Sequence, residues 1–368
     1  MPLPPLCEVG ESFAEIAPDY RRRLAAELYG DIPAPPDTLR YECKPLPTSG
    51  AQRLTLSMGL PAGVFEVDTA LWLPQGDGPF PLICGLDFVG PAGLLFDDEF
   101  PLDPDAVIVA RPEFGSPDGV LRDTLRGTSA PNWPVSLLTA QGYAVMVSCY
   151  GSWVPDQAEA CKKAGLMPLI EGETGAISLW AWAIQRMVDV AETLDDIDSG
   201  RITVAGHSRL GKAALWASAE DARILTVFAS SSGAAGAAPA CHGVGETLVE
   251  LHDRFPHWLR PGWEARGLTT DQHALIALSC PGSVYLAAAE DDLWADPLGS
   301  YAALVVASSV WPDIDAGAWP QPEAIWRPGA RVANGHLGYH LRAGGHALLP
   351  YDWHLFLEFL SGQAPSMG

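Results

Sequence analysis

The string ITVAGHSRLGKAALWASA, Ile202 to Ala219, passes from a β-branched run through one histidine and one serine into an alanine-rich segment. β-Branched residues fit a pleated sheet and Ala, Leu and Lys fit a helix, so Ser208 stands at a strand-to-helix turn. Two readings compete there. A serine ahead of a helix is commonly an N-cap, its hydroxyl satisfying orphan N–H groups of the first turn. The same place in a strand–turn–helix unit can instead hold a nucleophile raised above the end of the strand. The strict elbow pattern is Gly-x-Ser-x-Gly, whereas here Leu210 lies two residues after the serine and the glycine comes one later, at Gly211. From these residues alone both readings stay open.

The flanking sequence narrows the fold. Apolar or alternating runs RLTLSMGL, GVFEVDTALWLP, FPLICGLDF, YAVMVSCY, RITVAGHS and SVYLAAAE read as strands. Helical patterns interleave only with the later ones, in GAISLWAWAIQRMVDVAETL and KAALWASAEDARIL, and the chain before about Gly30 also reads as a helix, followed by the proline-rich connector DIPAPPDTL. Early strands without intervening helices, then strand–helix alternation, predict an α/β fold: an antiparallel edge leading into a mainly parallel, doubly wound sheet in a three-layer αβα sandwich. The Pro-, Gly- and Asp-rich stretch from Asp87 to Pro134 reads as surface loops. Trp180 and Trp182, within the helical run before the serine strand, read as helix–sheet packing.

At 48% hydrophobic and 18% charged residues over 368 positions, the chain can bury a large core. Its formal net charge of −23 disfavours phosphate backbones, so no nucleic-acid partner is expected. No apolar run reaches the roughly 20 residues of a membrane span, and no membrane partner is expected. The N-terminal text lacks a basic head, an apolar run and a small-residue cleavage site. As given, the chain reads as cytoplasmic, or as secreted or periplasmic if a leader was trimmed, and as a monomer. Seven scattered cysteines without a CxxC pair read as free thiols.

His336, His340 and His346 crowd into HLGYHLRAGGH. Histidines at i and i+4 can share a helix face and bind zinc, but glycines weaken a helix here and the glutamate of HExxH is missing, so structural histidines are favoured. His207, beside the serine, reads as a packing or hydrogen-bonding residue. No metal and no cofactor are expected.

The string GHSRLGKAALWA resembles the elbow Gly-x-Ser-Arg-x-Gly-Lys of the glucuronoyl esterases, carbohydrate esterase family 15. Further echoes follow in order: GAISLWAWAI upstream, then SGAAGAA, GETLVELHDRFPHWL, AEDDLWADPLG, GYHLRAGGHALLPYDW and FLEFL. The resemblance runs from about GYAVMVSCYG to the last helix and implies one α/β-hydrolase catalytic domain over 1–368, with an N-terminal helix and connector over 1–50 and a hydrolase core over 51–362.

It also implies roles. Ser208 would be the nucleophile and His346, matching the family's Gly-Gly-His late in the chain, its base. Arg209 would line the oxyanion hole. Lys212, Glu246 and Trp294 match residues that hold the sugar, and Trp258 would pack the lid. The third triad member departs from the pattern. Where fungal members carry a glutamate after the elbow, this chain has Ser231 in SSGAAG. Matching EDDLWADP to the bacterial pattern selects Asp292, with Asp291 and Asp296 as fallbacks. AAPACHGVGET lacks the arginine-rich text of bacterial relatives before Glu246.

The implied activity is a serine esterase hydrolysing esters of (4-O-methyl-)glucuronic acid, as in lignin–glucuronoxylan linkages, through an acyl-enzyme. Its partner would be a glucuronate ester or glucuronoxylan oligosaccharide. The alternatives are another carboxylesterase on the same fold, taking acetyl or aromatic esters, and a non-catalytic carbohydrate-binding relative.

Overall fold

The computed structural model describes residues 3–7, 11–265 and 267–362. Ten strands form one sheet in the order β1-β2-β3-β5-β4-β6-β7-β8-β10-β9. β1 (Thr38–Leu46), β2 (Ala51–Leu60) and β3 (Gly63–Trp72) are the antiparallel edge. β4 (Phe80–Asp87), β5 (Ala144–Cys149), β6 (Ile197–His207), β7 (Ile224–Ser230), β8 (Ser283–Ala289) and β10 (Leu337–Arg342) are mutually parallel, and β9 (Ala330–Asn334) closes the far edge antiparallel to β10.

Alternation along the strands builds two cores. In β5, Ala144 and Met146 join one cluster while Val145 and Val147 join the other. In β8, Val284 and Leu286 face the first, and Tyr285 and Ala287 the second. The helices Ala176–Ala191 and Arg209–Glu220 cover the first face, bringing fully buried Trp180, Trp182 and Trp216. The helix Pro350–Leu360 covers the second through Trp353 and Phe356, with Leu138 of Val135–Ala140 beside it. Burial on both faces is why the parallel strands are written as nearly continuous apolar runs.

The structure corrects several expectations. β1 is hidden in the connector because its residues are polar and mostly exposed, as befits an edge. The helical run after the serine stops at Glu220, since Asp221 turns extended, and Ile224 and Leu225 open β7 instead. LGYHLR, where glycines already spoke against a helix, is strand β10, so His340 projects from a pleat and His336 lies in the turn before it. The stretch between Asp87 and Pro134 is not merely surface: Phe88, Val89, Leu94, Phe100, Ile108, Leu125 and Trp133 are buried within it.

The chain passes from β4 outward to β5, then returns past β4 to β6. That reversal is a topological switch point, and crevices for ligands open outside the carboxyl ends of strands at such points. The segments leaving β5, β6, β7, β8 and β10 carry Asp156, Ser208, Ser231, Asp292 and His346 in turn.

Candidate active site

Ser208 sits between β6 and the helix Arg209–Glu220 with φ 58° and ψ −125°. The strand runs up to His207 and the helix starts at Arg209, so the serine alone makes the turn. Positive φ is costly for a residue with a Cβ and persists only where the surroundings impose it. They do so here: Ser208 N donates to Ser230 O at 2.8 Å, while Ser208 O accepts from Gly211 N at 2.9 Å. A Cβ on Gly206 would stand 2.1 Å from Leu210 O, so only glycine lets the strand end pass under the first helical turn. At Gly211 a Cβ would meet Gly206 O and the Ser232 Cβ, both at 3.1 Å. Gly211 thus packs against the end of β6 and the exit of β7 together. Ser208 occupies the N-cap position, yet its side chain makes no cap hydrogen bond. The hydroxyl is left to the pocket.

That pocket, of about 250 Å³, is lined by Ser208, Arg209, Lys212, Glu246, Asp292, Trp294 and His346, together with Ser231, Arg254, Phe255 and Trp258. Apart from the two fallback acids, every residue that the sequence singled out for catalysis or sugar binding is therefore brought to one cavity. His346 Nδ1 lies 2.7 Å from Asp292 Oδ2. Asp292 is buried, which alone would raise its pKa, but the hydrogen bond and charge of His346, with contributions from Ser231 and the Ala295 amide, hold it below the usual carboxylate value. With Nδ1 committed to the carboxylate, Nε2 is the ring nitrogen free to accept a proton.

The fallback acids are engaged elsewhere. Asp296 pairs with His242 at 2.6 Å and caps the helix Pro297–Ala307 through Gly299 N. The Asp291 backbone N–H bonds Gly344 O, and its position is solvent-facing. Ser231 is strained at φ 45° and its buried hydroxyl makes no well-formed hydrogen bond, although it is near enough to Asp292 to favour the ionised carboxylate.

Arg209 is held by a residue that sequence reasoning missed. Asp156, on the loop after β5, is fully buried and accepts from Arg209 Nη1, Tyr150 Oη (2.7 Å), Trp258 Nε1 (2.7 Å) and His257 Nε2 (3.0 Å). Burial opposes its charge, but Arg209 and His257 outweigh that and keep its pKa below the usual carboxylate value. The Arg209 guanidinium also lies 4.4 Å from the Trp258 ring centroid and 4.9 Å from that of Phe255. Its Nε–H is buried without a partner. Nothing in the spacing of Asp156 announces it; its place after a strand's carboxyl end is the one signal available.

Lys212 is buried and donates to Ser232 O at 2.7 Å and to Ala234 O. Glu246 stands 4.0 Å from Lys212 and 3.8 Å from Arg254, whose guanidinium reaches to 5.8 Å of the Trp294 ring centroid. Burial pulls the Lys212 pKa down to about 8 against the opposing pull of Glu246. Glu246 N bonds Trp294 O at 2.9 Å, which ties the loop before the helix Leu248–Arg254 to the turn after β8.

The neighbouring histidines do not form a metal site. His336 is half-exposed beside Ser283 Oγ at 3.2 Å, while His340 is buried between Tyr285 Oη (2.9 Å) and Asp352 (2.8 Å). His207 is buried, its ring centroid 4.5 Å from that of His346. Burial first, and the positive potential of His346 and Arg342 second, push its pKa well down, so it packs as a neutral ring.

A family model described as glucuronyl esterase of fungi matches residues 136–314. A carbohydrate esterase from an unknown prokaryotic organism is 32% identical over 327 residues, covering 84% of this chain and 74% of its own. The 4-O-methyl-glucuronoyl methylesterase of Cerrena unicolor is 26% identical over 50% of this chain and 44% of its own length. Among solved structures, a glucuronoyl esterase from Solibacter usitatus superposes with a TM-score of 0.84 at 30% identity, over 99% of this chain and 98% of the other. By this extent of similarity and the shared fold, the chain belongs to the glucuronoyl esterases of carbohydrate esterase family 15 and is a carboxylic ester hydrolase.

Proposed function

We propose that the protein is a serine esterase that cleaves esters of (4-O-methyl-)glucuronic acid, as in lignin–glucuronoxylan linkages. The observation that carries the reading is the 2.7 Å His346–Asp292 pair opening onto the same small cavity as Ser208. In the proposed cycle Ser208 Oγ attacks the C6 carbonyl carbon while His346 Nε2 takes its proton. The tetrahedral oxyanion is met by N–H groups at the start of the Arg209–Glu220 helix and by the Arg209 guanidinium, whose buried Nε–H has a donor to give. His346 returns the proton to the departing alcohol, leaving an acyl-enzyme. Water, deprotonated by His346, then releases the free acid and restores Ser208. Asp292 keeps the imidazole oriented and stabilises its positive form. Lys212 and Glu246 offer charged partners to sugar hydroxyls, and Trp294 a flat apolar plate. A pocket of about 250 Å³ suits one pyranose ring rather than a longer glycan inside it.

Hydrolysis of benzyl glucuronate by the wild type, Ser208→Ala and Asp292→Asn, each checked for folding, tests this reading. Loss of turnover by about 10⁶-fold in Ser208→Ala supports a serine mechanism. A folded wild type that refuses glucuronate esters and hydrolyses acetyl esters would place it among other carboxylesterases, and one that refuses both would leave a carbohydrate-binding protein.

A further inference from the structure

His346 follows Ala343, Gly344 and Gly345, with Gly344 at φ 89°, and its side chain is 45% exposed. Glycine-rich chain has much conformational freedom to lose. Yet the imidazole has to stay within hydrogen-bond reach of Asp292 on one edge and of the reacting hydroxyl on the other.

Arg342, the last residue of β10, supplies the constraint. Its buried guanidinium donates from Nη1 to Ala343 O at 2.9 Å and from Nη2 to Gly345 O at 3.0 Å and Ala347 O at 2.6 Å. The carbonyls immediately before and after His346 thus converge on one planar cation. Nε is turned the other way, to the two Asp352 oxygens at 3.1 and 3.2 Å. Asp352 lies fully buried in the first turn of Pro350–Leu360, where it also accepts from Leu349 N at 2.7 Å and pairs with His340 Nε2 at 2.8 Å. A neutral His340 satisfies both neighbours by donating from Nε2 and accepting the Tyr285 hydroxyl at Nδ1. On the acid's side, Asp291 N donates to Gly344 O and Glu290 N to Arg342 O, so the same loop is registered against the segment that carries Asp292.

We propose that Arg342, braced by Asp352 and His340, is the positioning residue of His346: it clamps the carbonyls on both sides of the base so that a flexible loop presents the imidazole in one place. The inference rests on His346 being the base. A lysine cannot replace the clamp, because its donors radiate from one nitrogen whereas the guanidinium fork addresses three carbonyls and a carboxylate in one plane.

The test compares wild type with Arg342→Lys, Arg342→Gln and Asp352→Asn by thermal melting, by kcat and KM on benzyl glucuronate, and by the downfield NMR resonance of the His346 Nδ1 proton shared with Asp292. Displacement of the base by about 1 Å predicts a kcat loss of about 10²-fold in Arg342→Gln. Arg342→Lys should lose nearly as much and Asp352→Asn less, KM should stay within about two-fold, and the resonance should broaden or vanish in protein that is still folded. A purely structural arginine would lower the melting temperature and leave kcat and the resonance of the folded protein unchanged, and that result overturns the proposal. If neither arginine variant folds, the same two readouts on Asp352→Asn decide. The resonance judges the clamp even if the wild type turns over no glucuronate ester, an outcome that would refute the glucuronate-ester reading instead.

Discussion

The floor and the rim of the pocket are built differently. On the floor, Arg209 and Lys212 are buried cations with fixed partners, one on Asp156 and two aromatic rings, the other on two backbone carbonyls. At the rim, Arg254 and Trp294 are 57% and 47% exposed and touch each other only by a loose cation–π contact. Preorganised charge in a dry place stabilises a transition state, since nothing has to reorient when charge develops. Exposed groups that still have to settle around a ligand contribute to binding ground and transition states alike, which changes KM more than kcat. We therefore expect rate to depend on Arg209 at the floor, where charge would develop, and selection to depend on the groups that would hold the sugar, Lys212 beneath and Arg254 and Trp294 at the rim.

After the nucleophile itself, the largest expected effect comes from the acid beside the floor. Asp292→Asn should lower kcat by about 10⁴-fold, because the amide favours the wrong tautomer of His346. Asp296→Asn should leave kcat within a few-fold, and equal losses in the two would return the acid assignment to the fallback. Next, Arg209→Met should reduce kcat by about 10²- to 10³-fold with little change in KM. Asp156→Asn should follow it in kcat and also destabilise the fold by about 3–5 kcal/mol, since it leaves a buried guanidinium without its carboxylate; calorimetry of the two variants separates the effects. At the rim, Trp294→Ala should raise KM by about tenfold with kcat retained, in keeping with an aromatic plate worth about 1.5 kcal/mol. Were Trp294→Ala to cut kcat as Arg209→Met does, the division between floor and rim would fail.

The smallest effect is one of pH. With its pKa pulled to about 8, Lys212 is charged below that value and loses its proton above it, so KM should climb as pH passes 8. Stability should move the opposite way. The folded pKa lies below the ordinary lysine value of 10.5, so between the two the unfolded chain binds more protons and stability rises with pH. Kinetic and thermal titrations run together would tell loss of affinity from loss of fold.

Much of the sheet was legible because strands buried on both faces have to be apolar throughout, as in β5 and β8. β7 was not, since an alanine-rich helix runs into ILTVFAS across the short bridge Asp221–Arg223 and the periodicities blur. β1 was not, because an exposed edge carries no burial signal. In the site, Ser208, Arg209 and Lys212 were readable as one contiguous string placed by one turn. His346 and the acidic run holding Asp292 stood out as candidates by their motifs at the exits of strands, and it is the 2.7 Å contact with His346 that separates Asp292 from Asp291 and Asp296. Asp156 and Arg342 were not, since their work is done on partners through space: Asp156 lies 53 residues from Arg209, and the clamp acts on backbone carbonyls, which leave no trace in residue identity.

Ser231 carries a consequence for how such an enzyme can change over generations. Its unpartnered hydroxyl sits at the exit of β7, already in the backbone conformation the site imposes, and close to the carboxylate that orients His346. A glutamate arriving there would place a second acid beside the first before anything was lost. Descent could then pass through a form with both carboxylates, after which either becomes dispensable. On this geometry the place of the acid is open to change while the elbow and the base stay where they are.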